Sequence, residues 1–227
     1  MMRFDGILFD FDGVVIESEY EGNAHIADYL SRIGHATSVE HAMTHFMGLS
    51  GRQFIDAIEG WIGRPLPEDF YAERAAEDAR AMREGVGPVN GAIAFIRSLP
   101  ADLPIAIASS SSHAWIRRHL DHNGLLDRFD GRIFSGKEDV PPGRGKPEPD
   151  LYLYAARSIG LDIGRAVILE DSPVGVTGAL KTGATVIGVT AANHCVNGHA
   201  DRLRALGVTH IAPDYDAVRD LIGLTTA

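Results

Sequence analysis

A chain of 227 residues with 45% apolar composition can bury a sizeable core, either in one large domain or in one domain carrying a smaller insert. Its formal charge of −10 excludes the basic face that nucleic acid or an anionic membrane would require, so a small solute is the expected partner. Its single cysteine, Cys195, excludes an internal disulfide framework and suits a reducing compartment. No apolar run approaches the roughly 20 residues of a membrane span. The start "MMRFDGILFDFD" turns acidic too early for a signal peptide. A cytoplasmic protein, monomeric or homodimeric, is expected.

In chain order, the first strand is predicted at "GILF", residues 6–9. A long helical stretch follows, too long for one crossover: Ile26, Ala27, Tyr29, Leu30 and Ile33 make one amphipathic face, and Phe54, Ile55, Ile58, Trp61 and Ile62 make another. Residues 68–84 are charge-rich with few apolar anchors and should form its outermost helix. Further strands are predicted at "IAIA" (105–108), "RIF" (132–134), "AVILE" (166–170) and "TVIGV" (185–189). Between them, helical spacing recurs at Trp115, Ile116, His119 and Leu120, then at Leu151, Tyr152, Ala155 and Ile159, then at Val176, Ala179 and Leu180. Strands alternating with helices imply an α/β fold with a doubly wound parallel sheet. The expected division is a core of residues 1–15 and 87–227 with a helical insert over 16–86.

Ligands of open parallel sheets bind outside the carboxyl ends of the strands. Asp10 and Asp12 sit at the first such end, and on an extended chain residues two apart face the same side, so both carboxylates are expected in one crevice, with Gly13 freeing the turn. After "IAIA" come Ser109, Ser110, Ser111 and Ser112 just ahead of a helix, a start that favours anions. After "AVIL" come Glu170 and Asp171. Carboxylates gathered from two strand ends call for a cation, and a hard oxygen set without nearby His or Cys points to Mg²⁺. The chain has three lysines against 18 arginines; of these, Lys146 in "GKPEPDLY" lies between Gly and Pro just before a helix and can aim a point charge into the crevice. Lys137 and Lys181 read as solvated.

"DFDGVV", "IASSSS", "GKPEPDLY" and "LEDSPVGVTGA", in that order and spacing, resemble the four motifs of the haloacid dehalogenase-like hydrolases, over essentially the whole chain. Within that superfamily the chain is similar to the branch with a helical cap after the first strand, which includes phosphoglycolate phosphatases and β-phosphoglucomutases. The resemblance implies a Rossmann-like core and a phosphatase acting on a small phosphorylated metabolite through an aspartyl-phosphate. Asp10 would be the nucleophile and Asp12 the general acid and base. Ser109, through its hydroxyl, and Ser110, through its backbone N–H, would hold the phosphoryl oxygens, and Lys146 would neutralise charge. Mg²⁺ would take the Asp10 and Asp171 carboxylates and the Asp12 carbonyl, with Glu170 as a second or water-mediated ligand. Arg52, in "GLSGRQF", falls where this branch's cap contacts substrate.

The superfamily's other chemistries are tested by the same residues. Its haloacid dehalogenases lack the second aspartate, which this chain has. Its phosphonoacetaldehyde hydrolases use a cap lysine, and the insert has none. A β-phosphoglucomutase-like mutase is the alternative; it would carry a cap histidine where spacing puts Gly22, with His25 about one turn on. A non-catalytic phosphate-binding protein would need no second aspartate. His41 and His45 have i, i+4 spacing without an evident third ligand for zinc, and His194, Cys195 and His199 are read as part of a polar loop rather than a metal site.

Overall fold

The computed structural model describes residues 4–47, 49, 51–196 and 198–224. Among them the strands are β1 (Gly6–Phe9), β2 (Ile105–Ser109), β3 (Ile133–Ser135), β4 (Ala166–Glu170), β5 (Thr185–Val189) and β6 (His210–Ala212). They form one sheet in the order β3-β2-β1-β4-β5-β6, and every pairing is parallel. The first five fall on the apolar runs of the sequence. The sixth does not, because "HIA" is only three residues, and His210 and Ile211 are half-buried at the sheet's edge.

The helices are α1 (Ser18–Arg32), α2 (Val39–His45), α3 (Gly51–Ile62), α4 (Asp69–Glu84), α5 (Ala92–Ser98), α6 (His113–His122), α7 (Asp150–Ser158), α8 (Pro173–Leu180), α9 (His199–Ala205) and α10 (Tyr215–Ile222). The chain divides into two compact units, residues 1–17 with 87–227, and Ser18–Val86. No helix of the described residues is long and apolar enough to cross a membrane.

In the α/β unit, β1 lies between β2 and β4, with Ile7 opposite both Ile105 and Val167. All four of its residues are buried, as expected of a strand covered on both faces. Leu8 joins Ala106, Ala108, Ile168 and Val186 on one face, against Leu151, Tyr152 and Ala155 of α7 and Val176 and Ala179 of α8. Phe9, one residue on, points the other way and meets the rings of Phe95 at 6.3 Å and Phe129 at 5.9 Å. Each such side chain contributes about 1.5–3 kcal/mol on burial. The chain runs from β1 out to β2 and β3, then returns to the opposite flank of β1 as β4. The strand order therefore reverses between β1 and β4, the place where doubly wound sheets open a crevice at the strands' carboxyl ends.

The helical unit has its own core of Ile26, Tyr29 and Leu30 from α1, Ala42 and Phe46 from and beyond α2, Ile58 and Ile62 from α3, and Phe70 from α4. Only Phe70 and Ala81 of α4 are buried, in keeping with its charge-rich sequence. Tyr29 donates to Asp69 at 2.7 Å while its ring meets Phe70 edge-on. The His41 and His45 rings meet at 4.3 Å with a tilt of 36°, and His41 stacks on Trp61 at 3.7 Å.

Candidate active site

β1 stops at Phe9, and the next residues form a tight loop. The Gly13 N–H donates to the Ile16 carbonyl at 2.8 Å and that of Val15 to Phe11 at 2.8 Å, while bridges from Ile16 to Asp12 and Pro88 pin its end. Asp10 stays in line with the sheet, its N–H donating to the Leu169 carbonyl at 2.9 Å, and its side chain is buried at the switch point. Gly13 has φ of 78°, and a Cβ there would sit 2.2 Å from Asp171 Oδ2, so both backbone and space demand glycine.

The carboxyl end of β4 delivers Glu170 and Asp171, both buried. Ligating oxygens of Asp10, Glu170 and Asp171 can lie within 4.8 Å of one another. Ser172 caps α8 by accepting from the Gly175 N–H at 3.0 Å, and Pro173 opens that helix. Gly175 leaves room for Glu170, since a Cβ there would lie 1.6 Å from Oε1.

Lys146 arrives from the loop between β3 and α7 with its side chain only 4% exposed. Its Nζ donates to Asp10 Oδ1 at 2.6 Å and to Glu170 Oε1 at 2.7 Å. Glu170 Oε1 also accepts from the Tyr152 hydroxyl at 3.0 Å, and Oε2 from the Ser172 N–H at 2.7 Å. Lys146 lies 5.1 Å above the Tyr152 ring. Both Glu170 oxygens are thus taken by protein donors, and the residue grips Lys146 as well as belonging to the carboxylate cluster.

Burial, followed by the neighbouring Glu170 charge, pushes Asp10 well above the usual carboxylate range, with Asp171 and Asp12 adding to the effect and Lys146 opposing it. Burial works against the Lys146 charge too, but Asp10 and Glu170 hold its ammonium well above the usual lysine range. One ammonium faces three buried carboxylates, a surplus of negative charge that a hard divalent cation would relieve. The carboxylates of Asp10 and Asp171, with Glu170 beside them, are oxygen donors that suit Mg²⁺, but the expectation of no nearby histidine fails, because His194 Nε2 lies 2.8 Å from Asp171 Oδ2.

Asp12 turns elsewhere. Its Oδ2 accepts from Ser111 Oγ at 2.6 Å and Ser109 Oγ at 3.2 Å, and its Oδ1 from the Trp115 indole at 3.0 Å. The strand has ended before Asp12, so its carboxylate leans toward the β2–α6 side while its charge still acts on Asp10. Ser109, at the end of β2, is buried and accepts from the Ser111 N–H at 3.0 Å; Ser110 is exposed. Ser112 caps α6. Arg52 belongs to the helical unit, is 78% exposed and pairs with Asp56 at 2.7 Å along α3.

Sequence reasoning missed Ser111 and Trp115 as partners of Asp12, and Tyr152 as a partner of Glu170. It also took residues 194–199 for a polar loop, whereas His194 and His199 are both buried. His194 Nε2 lies 2.8 Å from Asp171 Oδ2, and His199 Nε2 lies 2.6 Å from the Asp171 carbonyl oxygen. The sequence signal available was the apolar-strand neighbourhood of "NHCVNGH", whose polar composition hid it.

A buried carboxylate at the end of β1, a lysine bonded to it, and a second aspartate beside a serine at the next strand end are joined by a match to the family model for haloacid dehalogenase-like hydrolases over residues 7–189. The chain belongs to that family. It is 33% identical to hexitol phosphatase A of Escherichia coli K12 over 193 residues, 84% of this chain and 85% of that protein. It is 24% identical over 196 residues to the 6-phosphogluconate phosphatase of the same organism, covering 86% of each. Among solved structures, a haloacid dehalogenase-like protein of unknown function from Agrobacterium tumefaciens superposes with a TM-score of 0.88 at 30% identity, covering 97% and 98% of the two chains. A family hydrolase from Deinococcus radiodurans, crystallised with phosphate and sodium, gives 0.85 at 30% identity over 98% and 96%.

Proposed function

We propose that the chain is a Mg²⁺-dependent phosphatase that hydrolyses the phosphate monoester of a small sugar, polyol or sugar acid. The observation that carries the reading is the placement of Asp10 between Lys146, at 2.6 Å, and the Glu170–Asp171 pair, with a second aspartate held by the serines of the next strand end. The substrate class rests on the hexitol and 6-phosphogluconate phosphatases among its relatives. The Deinococcus relative with bound phosphate supports anion binding by this fold.

In this reading an Asp10 carboxylate oxygen attacks phosphorus in line, the bond to the ester oxygen breaks, and an aspartyl-phosphate forms. Asp12 gives its proton to the departing alkoxide. It then takes a proton from water, whose oxygen attacks phosphorus and breaks the bond to Asp10, releasing inorganic phosphate. Lys146 neutralises Asp10 and the phosphoryl oxygens, and Ser109 with the Ser110 N–H orients them. Asp10, Asp171 and the Asp12 carbonyl would hold Mg²⁺, which supplies charge stabilisation for the phosphoryl group. Glu170 acts chiefly by fixing Lys146. Nothing observed favours the mutase alternative: Gly22 has no side chain to offer, and His25 faces Arg74 Nη1 at 3.3 Å.

A panel of hexitol, aldose and aldonate phosphates tests this. Inorganic phosphate should be released with Mg²⁺, lost with EDTA and restored by Mg²⁺. Full turnover after chelation, or accumulation of an isomeric sugar phosphate without free phosphate, would overturn it.

A further inference from the structure

We infer that His194 and His199 are positioning residues for Asp171, gripping it at two separate atoms and thereby setting the affinity of the acidic cluster for its divalent cation. The inference rests on the proposed function, in which Asp171 is a cation ligand.

An ionised carboxylate only accepts, so the His194 Nε2 at 2.8 Å from Asp171 Oδ2 must carry its proton and donate it. The His199 tautomer is set in the same way from the other side. Arg202, which has donors only, approaches Nδ1 at 3.1 Å, so the proton lies on Nε2 and is donated to the Asp171 carbonyl oxygen at 2.6 Å. One ring therefore orients the side chain and the other the backbone of the same residue. The two rings meet edge to face at 5.5 Å and are each 2% exposed, so neither is free to swing.

The loop that carries them is tied down as well. The Asn193 N–H donates to the Glu17 carboxylate at 3.1 Å, and the Cys195 N–H to the Ala192 carbonyl at 3.0 Å. Gly13 completes the arrangement. A Cβ there would meet Asp171 Oδ2 at 2.2 Å and His194 Cε1 at 2.7 Å, so the glycine of the first motif opens the space in which imidazole and carboxylate come together.

His194, Cys195 and His199 also have ligating atoms within 4.8 Å of one another. A soft-metal site there is disfavoured because both nitrogens of His199 already face protein partners and Cys195 Sγ lies 3.3 Å from His194 Nε2, the atom committed to Asp171. Hydrogen-bond partners of metal ligands are typically worth about 10–100-fold in affinity.

Titration calorimetry of the substrate-free protein with Mg²⁺ reads this directly. His194→Ala and His199→Ala should each raise Kd about 10–100-fold. Glutamine, whose amide nitrogen reaches about as far as Nε2, should restore most of the affinity in His194→Gln. It also serves as the testable variant if alanine fails to fold, with Tm in EDTA reporting integrity. Unchanged Kd in folded alanine variants, or no rescue by glutamine, would overturn the inference and leave the proposed function standing. An unsubstituted protein that binds no Mg²⁺ would overturn both. A Co²⁺–thiolate absorption band lost in Cys195→Ser would make the trio a metal site and overturn the positioning role.

Discussion

The two units of this chain handle charge in opposite ways. In the α/β unit, the side chains of Asp10, Lys146, Glu170, Asp171, His194 and His199 are buried and joined by short hydrogen bonds. In the helical unit, charge sits along helix surfaces as solvated pairs such as Arg52–Asp56 and Arg80–Glu84, where each is worth about 0–1 kcal/mol. Its buried polar contact of note is Tyr29 on Asp69. The difference teaches where chemistry resides. A buried network is costly to leave incomplete, so it persists where function needs it, whereas surface pairs can be exchanged at little cost.

The sharpest way to break the contrast is Lys146→Ala. It leaves Asp10 and Glu170 buried without their shared cation, and breaking such a pair costs about 3–5 kcal/mol of stability. Together with the loss of charge on the phosphoryl group, kcat should fall by several orders of magnitude. Lys137→Ala, at an exposed position earlier in the same loop, should leave both stability and kcat within experimental scatter. Thermal melts and steady-state kinetics decide it, and equal losses would put the chemistry on the wrong lysine.

Asp12→Asn comes next. General acid–base assistance is worth about 10²–10⁴-fold, and the loss should be smaller for an aryl phosphate than for an alkyl phosphate, whose leaving oxygen needs the proton more.

Trp115→Phe should cost less still, because it removes one hydrogen bond to a carboxylate, worth about 1.5–3 kcal/mol, while keeping an aromatic ring beside His119. A fall in kcat/KM of about tenfold to a hundredfold, larger for an alkyl than for an aryl phosphate, would mark Trp115 as a positioning residue for Asp12.

The helical unit should respond least. Arg32→Ala, though it removes exposed bonds to Asp28 and Glu73, should shift stability by about 1 kcal/mol or less and leave kcat alone. Tyr29 supplies a pH signature: burial and then the Asp69 bond raise its pKa from the ordinary 10 to about 12. The folded state then holds that proton more tightly than the unfolded state does, so its stabilisation is full below pH 10 and lost as pH rises toward 12. Denaturation curves of Tyr29→Phe should lack that part of the alkaline decline.

The sheet was legible because β1, β2 and β4 are buried on both faces and read as unbroken apolar runs. β6 was not, since a three-residue edge strand carries no such run. Asp10, Ser109, Glu170 and Asp171 were legible through the rule that strand ends converge, and Lys146 through the scarcity of lysine and the prolines beside it ahead of a helix. What that rule leaves out is direction. Asp12 turns to Ser111 and Trp115, about a hundred positions away in the chain, and no local pattern encodes such a contact. Tyr152 read as one more apolar position of α7, although its hydroxyl reaches Glu170. His194 and His199 looked solvated because a polar stretch is buried only where a distant partner, here Asp171, satisfies it.

The central claim is that Asp10 becomes phosphorylated. Rapid mixing of Asp12→Asn protein with an aryl phosphate and Mg²⁺, acid quenching, borohydride reduction and peptide mass spectrometry test it directly, since reduction of an aspartyl-phosphate leaves homoserine. Homoserine is expected at position 10 and at no other aspartate. Phosphate on another residue, or no phosphoenzyme in a variant that still hydrolyses the ester, would contradict it.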